Sequence, residues 1–166
     1  MATKKREPQG RQFVSFVGWV GGSLGVGSLG GLVTYEKIPG WYATLTKPVF
    51  TPPNWLFGPV WTLLYILMGY AMHRVWVSKT DARQKRRVAQ LFLFQLLLNF
   101  LWSYLFFGQQ NIIASCIEIV VLWSVIAVLI RAVLRVERTA ALLLVPYFLW
   151  TSFAMVLNYS LWILNV

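Results

Sequence analysis

The sequence has very little acid and almost no cysteine or histidine. Its 166 residues hold five Asp and Glu, one Cys and one His. A single cysteine, Cys116, excludes an intramolecular disulfide, and one Cys with one His, His73, cannot build a zinc site. No metal or cofactor is therefore expected. No nucleophile stands beside a base, and no glycine-rich loop joins a strand to a helix, so neither hydrolytic nor dinucleotide chemistry is indicated. Charged residues make up 12% of the chain, against about 25% in soluble domains. Hydrophobic residues reach 58%, with nine Trp, eleven Phe and seven Tyr. The net charge of +10 does not indicate nucleic acid, because the cations flank apolar runs as membrane topology requires.

Apolar runs divide the chain into a basic N-terminal tail, residues 1–11, and one five-helix transmembrane domain, residues 12–166. Each run is long enough to cross a hydrocarbon core of about 30 Å. Helices are expected at about 13–35, 54–76, 88–107, 112–133 and 139–164. The first run is longer than a signal-peptide core and reads as a retained helix, the alternative being a cleaved leader. On the N-terminal side of this five-span topology fall thirteen Lys and Arg: four in the tail, six at 74–87 and three at 131–138. Only Lys37 and Lys47 fall on the other side. That bias places the N-terminus on the cytoplasmic-type side.

The densest stretch is 41–76. Trp41-Tyr42 and Lys47-Pro48 lead to Pro52-Pro53, which suit a first helical turn because prolines lack the amide donors left spare there. An apolar helix follows, carrying Trp55, Gly58-Pro59, Trp61, Tyr65 and Gly69-Tyr70. The first helix holds three glycine pairs four apart: Gly18 with Gly22, Gly21 with Gly25, and Gly27 with Gly31. These fit either close packing within the monomer or a dimer face. On the third helix, Gln95, Asn99, Trp102 and Phe106 form one stripe. Its amides serve either interhelical hydrogen bonds or a ligand cavity. Glu118 is the one acid in mid-span, read as either a functional group or a neutral side chain bonded to a neighbouring helix. In the fifth helix Trp150, Ala154, Leu157 and Leu161 share a face, with room beside Trp150 for a flat ligand or another helix. His73 reads as interfacial, with haem ligation as the alternative.

Several of these motifs together resemble one family. Trp41-Tyr42, Lys47-Pro48, Pro52-Pro53, Trp55, Gly58-Pro59-Val60-Trp61, Tyr65 and Met68-Gly69-Tyr70 look like the signature of the translocator proteins, also called tryptophan-rich sensory proteins. Asn99 with Trp102 and Phe106-Phe107-Gly108 resembles the family's third helix. Pro146-Tyr147, Trp150, Phe153-Ala154 and Leu157-Asn158-Tyr159 resemble its fifth. The motifs agree in order over nearly the whole chain after residue 40.

The resemblance implies an all-α membrane protein, a five-transmembrane-helix bundle that is usually a homodimer. Members lie in bacterial cell membranes or the mitochondrial outer membrane. It also implies a pocket under the first connection that binds porphyrins such as protoporphyrin IX, with cholesterol and benzodiazepine-type compounds as further family ligands. Carried over by motif, Trp41, Trp61, Tyr65, Asn99, Trp102, Trp150, Ala154 and Leu157 would line that pocket. Aromatic faces suit a flat macrocycle, and Lys37, Lys47 or an amide could hold a propionate. The family role is that of a tetrapyrrole sensor or transporter. Some members are described as degrading protoporphyrin in light, for which Trp61 and Trp150 would be the catalytic candidates. The chain departs from animal members at Ala114, where they carry Trp, and at Glu118, where they carry Asp. It also lacks spaced glycines in its third helix and a cation after Tyr159, so weak sterol binding is expected.

Overall fold

A computed structural model describes residues 9–166. Five helices follow one another: α1 (Gln9–Tyr35), α2 (Asn54–Val77), α3 (Ala82–Ser103), α4 (Ile112–Leu134) and α5 (Arg138–Asn165). All five are long and apolar enough to cross a membrane. The protein is a multi-pass membrane protein with an all-α bundle fold. In lipid only internally bonded backbone survives, which is why the apolar runs become helices.

Four helix starts are fixed, three by side chains and one by prolines. Asp81 accepts the backbone N–H of Arg83 at 3.0 Å, Asn111 accepts that of Ala114 at 2.9 Å, and the Glu137 carboxylate accepts that of Ala140. Each satisfies a donor the first turn leaves free. Asp81 also corrects the expected start of the third helix. The basic stretch after it is not a connection but the first turn and a half of α3, six residues earlier than 88. At α2, Pro52-Pro53 stand immediately before the first helical residue, with Pro53 extended (φ −60°, ψ 142°). Pro59 and Pro146 sit inside continuous helices.

Two wider, π-type turns depart from regular helix. One covers Ile38–Tyr42 in the first connection. The other, Tyr104–Gly108, ends α3, so regular helix stops at Ser103 rather than at 107. Gln110, with φ 53°, then reverses the chain into α4.

Close approach of α1 and α2 depends on Gly69. A Cβ there would lie 2.5 Å from Val20 Cα and 2.7 Å from the Trp19 carbonyl oxygen. Gly27 faces the Tyr65 ring, and Gly30 lies near the Ser103 hydroxyl. Gly18, Gly21, Gly22, Gly25 and Gly31 meet nothing within 4 Å, so packing inside the monomer does not account for them.

The core divides between the two ends of the bundle. Toward the end where α1 begins, Met68, Met72, Val75, Phe92, Ile126, Leu129 and Leu144 are almost wholly buried in one continuous cluster. Toward the other end a smaller cluster of Tyr42, Phe106, Phe107, Ile112, Leu157 and Leu161 borders an open cavity.

Candidate ligand cavity

The cavity occupies about 950 Å³, within the usual size range of small-molecule sites. Every helix but α4 contributes to its wall, and the first connection closes over it with Ile38, Pro39 and Tyr42. Phe57, Trp61 and Tyr65, four residues apart on α2, put three rings in line. Trp102 and Phe106 stack at 5.3 Å with 12° between planes. Trp150 lies 6.0 Å from Phe57 and 5.5 Å from Phe153.

Seven of the eight residues expected to share a pocket line this cavity: Trp61, Tyr65, Asn99, Trp102, Trp150, Ala154 and Leu157. Trp41 does not. Its ring packs edge-on against Phe106 at 5.3 Å and borders a separate shallow depression with Gln109, Asn111 and Asn165. The reason is local. Gly40, at φ −93° and ψ −106°, breaks helical geometry inside the π-type turn, and Tyr42 takes the buried place instead, 4% exposed. Burial pushes the Tyr42 hydroxyl above its ordinary range. Phe57, Tyr42 and Trp55 are wall residues that the motif carry-over omitted, although the four-residue spacing of Phe57 and Trp61 marks Phe57.

The wall is fixed from behind by buried polar groups. The Tyr65 hydroxyl donates to Asn99 Oδ1. Asn99 Nδ2 donates to the Tyr147 hydroxyl at 3.1 Å, which donates to Gln95 Oε1 at 2.9 Å. This chain ties α2, α3 and α5 together. Gln95 is thus an interhelical amide, while Asn99 is both a crosslink and a wall residue. A second set runs from Trp102 Nε1 to Asn158 Oδ1 at 2.9 Å, and from Asn158 Nδ2 to Ser115 Oγ at 3.2 Å and Cys116 Sγ at 3.1 Å. Polar groups in lipid must find partners within the protein, and these do. Glu118 does not: it is buried, and neither carboxyl oxygen has a hydrogen-bond partner. The expected bond to a neighbouring helix is absent among the described residues.

Two features bear on what the cavity could hold. The indole N–H groups of Trp61 and Trp150 have no acceptor among the described residues, unlike those of Trp102 and Trp123. The second feature is charge. Neither lysine lines the wall, and Glu36 is its one charged residue. Lys47 Nζ instead donates to the Ala43 and Leu45 carbonyls at 3.3 and 3.2 Å and lies 4.8 Å from the centre of the Tyr42 ring. The expectation that a lysine holds a propionate is therefore not met by this geometry. His73 lies outside the cavity, its Nδ1 3.2 Å from Ser15 Oγ and its ring against Phe16 and Tyr70.

A five-span helical bundle with an aromatic cavity at one end defines a class of membrane protein built around a hydrophobic ligand-sized space. Comparison with known proteins narrows the class. The TspO/MBR family profile matches residues 19–163. The chain is 43% identical over 142 residues to the tryptophan-rich protein TspO of Archaeoglobus fulgidus, covering 86% of this chain and 91% of the relative. It is 41% identical over 155 residues to the tryptophan-rich protein TspO of Chlorobaculum tepidum, covering 93% and 98%. It is also 37% identical over 143 residues to the translocator protein of Sus scrofa, covering 82% and 84%. The chain belongs to the TspO/MBR family.

Proposed function

We propose that the cavity binds a flat tetrapyrrole of the protoporphyrin IX type, and that the protein acts as a tetrapyrrole sensor or transporter. The observation that carries this reading is a preformed cavity of about 950 Å³ walled by Trp61, Tyr65, Trp102, Phe106 and Trp150. Each ring stacked on a macrocycle adds about 0.5–1.5 kcal/mol beyond burial. The free indole donors of Trp61 and Trp150 offer hydrogen bonds to an acceptor on the ligand. With no cation in the wall, the propionates are held at the mouth by water and amides, and Asn54 is placed to contribute. Other hydrophobic ligands of similar size fit the same walls. We further propose that the protein works as a homodimer, the open glycines of α1 supplying one close-packing face.

The rival reading is light-dependent porphyrin degradation, with Trp61 and Trp150 as the catalytic candidates. It is favoured by both indoles facing one cavity. Titrating purified protein with protoporphyrin separates the two readings. Saturable fluorescence quenching with an unchanged porphyrin spectrum under light supports binding alone. New absorbance bands that appear in light and diminish in Trp150→Phe support the enzyme. Absence of saturable quenching removes both.

A further inference from the structure

We infer that the end of the bundle opposite the cavity is a binding surface for the phosphate groups of anionic phospholipids. Six arginines carry it. Arg83, Arg86 and Arg87 lie on the first turns of α3, and Arg131, Arg135 and Arg138 lie at the end of α4 and the start of α5. All six are exposed. Helices α3 and α4 run antiparallel and pack together. Val88 and Val133 belong to the same buried cluster, so both triads meet at one end of the bundle.

Their charge is uncompensated among the described residues. The two acids at this end are already committed. Asp81 caps α3 through the backbone N–H of Arg83. Glu137 caps α5 and takes both Nε and Nη2 of Arg74 at 3.1 Å. Arg74–Glu137 is the one ion pair among the described residues.

Orientation in the membrane explains why basic residues lie on this side. It does not require six exposed guanidinium groups without a carboxylate; Lys85, which stands among them, turns back to the Trp76 carbonyl at 2.7 Å. Lysine would set topology equally well, whereas the guanidinium fork matches the paired oxygens of a phosphate. Depth agrees as well. Buried apolar residues follow directly, Val88 beside Arg87 and Ala140 two residues past Arg138, so the triads stand at the headgroup level. A basic cluster next to a span attracts anionic lipid.

The test uses the full chain reconstituted in phosphatidylcholine alone or mixed with phosphatidylglycerol, with retained lipid identified by native mass spectrometry after gentle extraction. The wild type retains phosphatidylglycerol in preference to phosphatidylcholine, and retention falls with added salt. The variants R83Q/R86Q/R87Q and R131Q/R135Q/R138Q each lower retention by at least about tenfold. Removing either triad leaves ten of the thirteen cations on this side (thirteen minus three), so orientation is preserved. If a glutamine variant fails to insert, R83K/R86K/R87K and the salt series decide. The lysine variant keeps attraction to anionic lipid but retains less phosphatidylglycerol than the wild type. Equal retention of both lipids overturns the inference, as does wild-type retention by the glutamine variants. Displacement of phosphatidylglycerol by equimolar inorganic phosphate does so too, since it would mark a site for free anions.

Discussion

The two ends of the bundle are filled differently and by different side chains. At the end where α1 begins, Met68, Met72, Val75, Phe92 and Leu129 fill the space between helices. There Arg74 and Glu137 lock the end of α2 to the start of α5. At the other end the large side chains are aromatic and stand around a void. Rings are stiff, with two side-chain torsions each, so a wall of rings can border a cavity without collapsing into it. Aliphatic side chains would relax into the space. The difference leaves the solid end to hold the helices in place, while the hollow end keeps a cavity of about 950 Å³. Lipid offers no hydrophobic drive between helices, so close packing and polar crosslinks must supply the holding.

The largest expected effect comes from attacking the solid end. Gly69→Leu would drive a side chain into the Val20 backbone, where neither helix can yield without separating. We expect a loss on the order of 3 kcal/mol or more, read as failure to extract a folded protein or as a large fall in the thermal midpoint. An unchanged midpoint would show that α1 and α2 are not held by this contact.

Next in size is Glu137→Ala, which removes both the cap of α5 and the partner of Arg74. Loss of the cap alone costs about 0.5–2 kcal/mol. The hydrogen bond from Arg74, with help from the Ala140 amide, holds the Glu137 carboxyl below the usual carboxylate range. A group depressed in the folded state contributes stability above its unfolded pKa and loses it as pH falls through the folded one. Wild-type stability should therefore fall on acidification below the ordinary carboxylate range, and the contribution from this group should vanish in Glu137→Ala. Parallel pH profiles of the two proteins would contradict the assignment.

Asn99→Leu sits between the two regions. It removes the partner of Tyr65 and the donor to Tyr147, at about 0.6 kcal/mol for each hydrogen bond in a membrane. The expected result is a small fall in thermal midpoint together with weaker protoporphyrin binding. Normal binding by the folded fraction would make Asn99 purely structural. The smallest stability effect belongs to Gly18→Ala with Gly22→Ala. Neither position meets anything within 4 Å, and alanine is the better helix former. Monomer stability should hold or rise slightly, and a fall in the cross-linked dimer fraction would identify these glycines as the dimer face.

Much of this architecture was legible in the sequence. Five apolar runs of spanning length gave five helices because lipid leaves the backbone few alternatives. The start of α3 was misplaced because six residues rich in arginine read as a loop, while a single Asp cap makes them helical. Trp61, Tyr65, Trp150, Ala154 and Leu157, singled out by helical spacing and motif, line one cavity because regular helices turn such spacing into a shared face. Trp41 was misplaced because it stands in a π-type turn with a non-helical glycine, where periodicity does not apply. The absence of lysine from the wall was illegible for a related reason. Lys37 and Lys47 lie in a connection whose path, with Lys47 turned onto its own carbonyls, is set by tertiary contacts.

The most direct test of the hollow end is a protoporphyrin titration of wild type and Ala154→Phe, followed by tryptophan quenching beside a thermal melt of each. Ala154 lines the cavity, so a ring there fills space the ligand would need. We predict saturable binding by wild type, at least about tenfold weaker binding by the variant (a gap of about 1.4 kcal/mol), and an equal or higher thermal midpoint. Equal affinity in the two proteins would contradict the account and place the porphyrin elsewhere on the molecule.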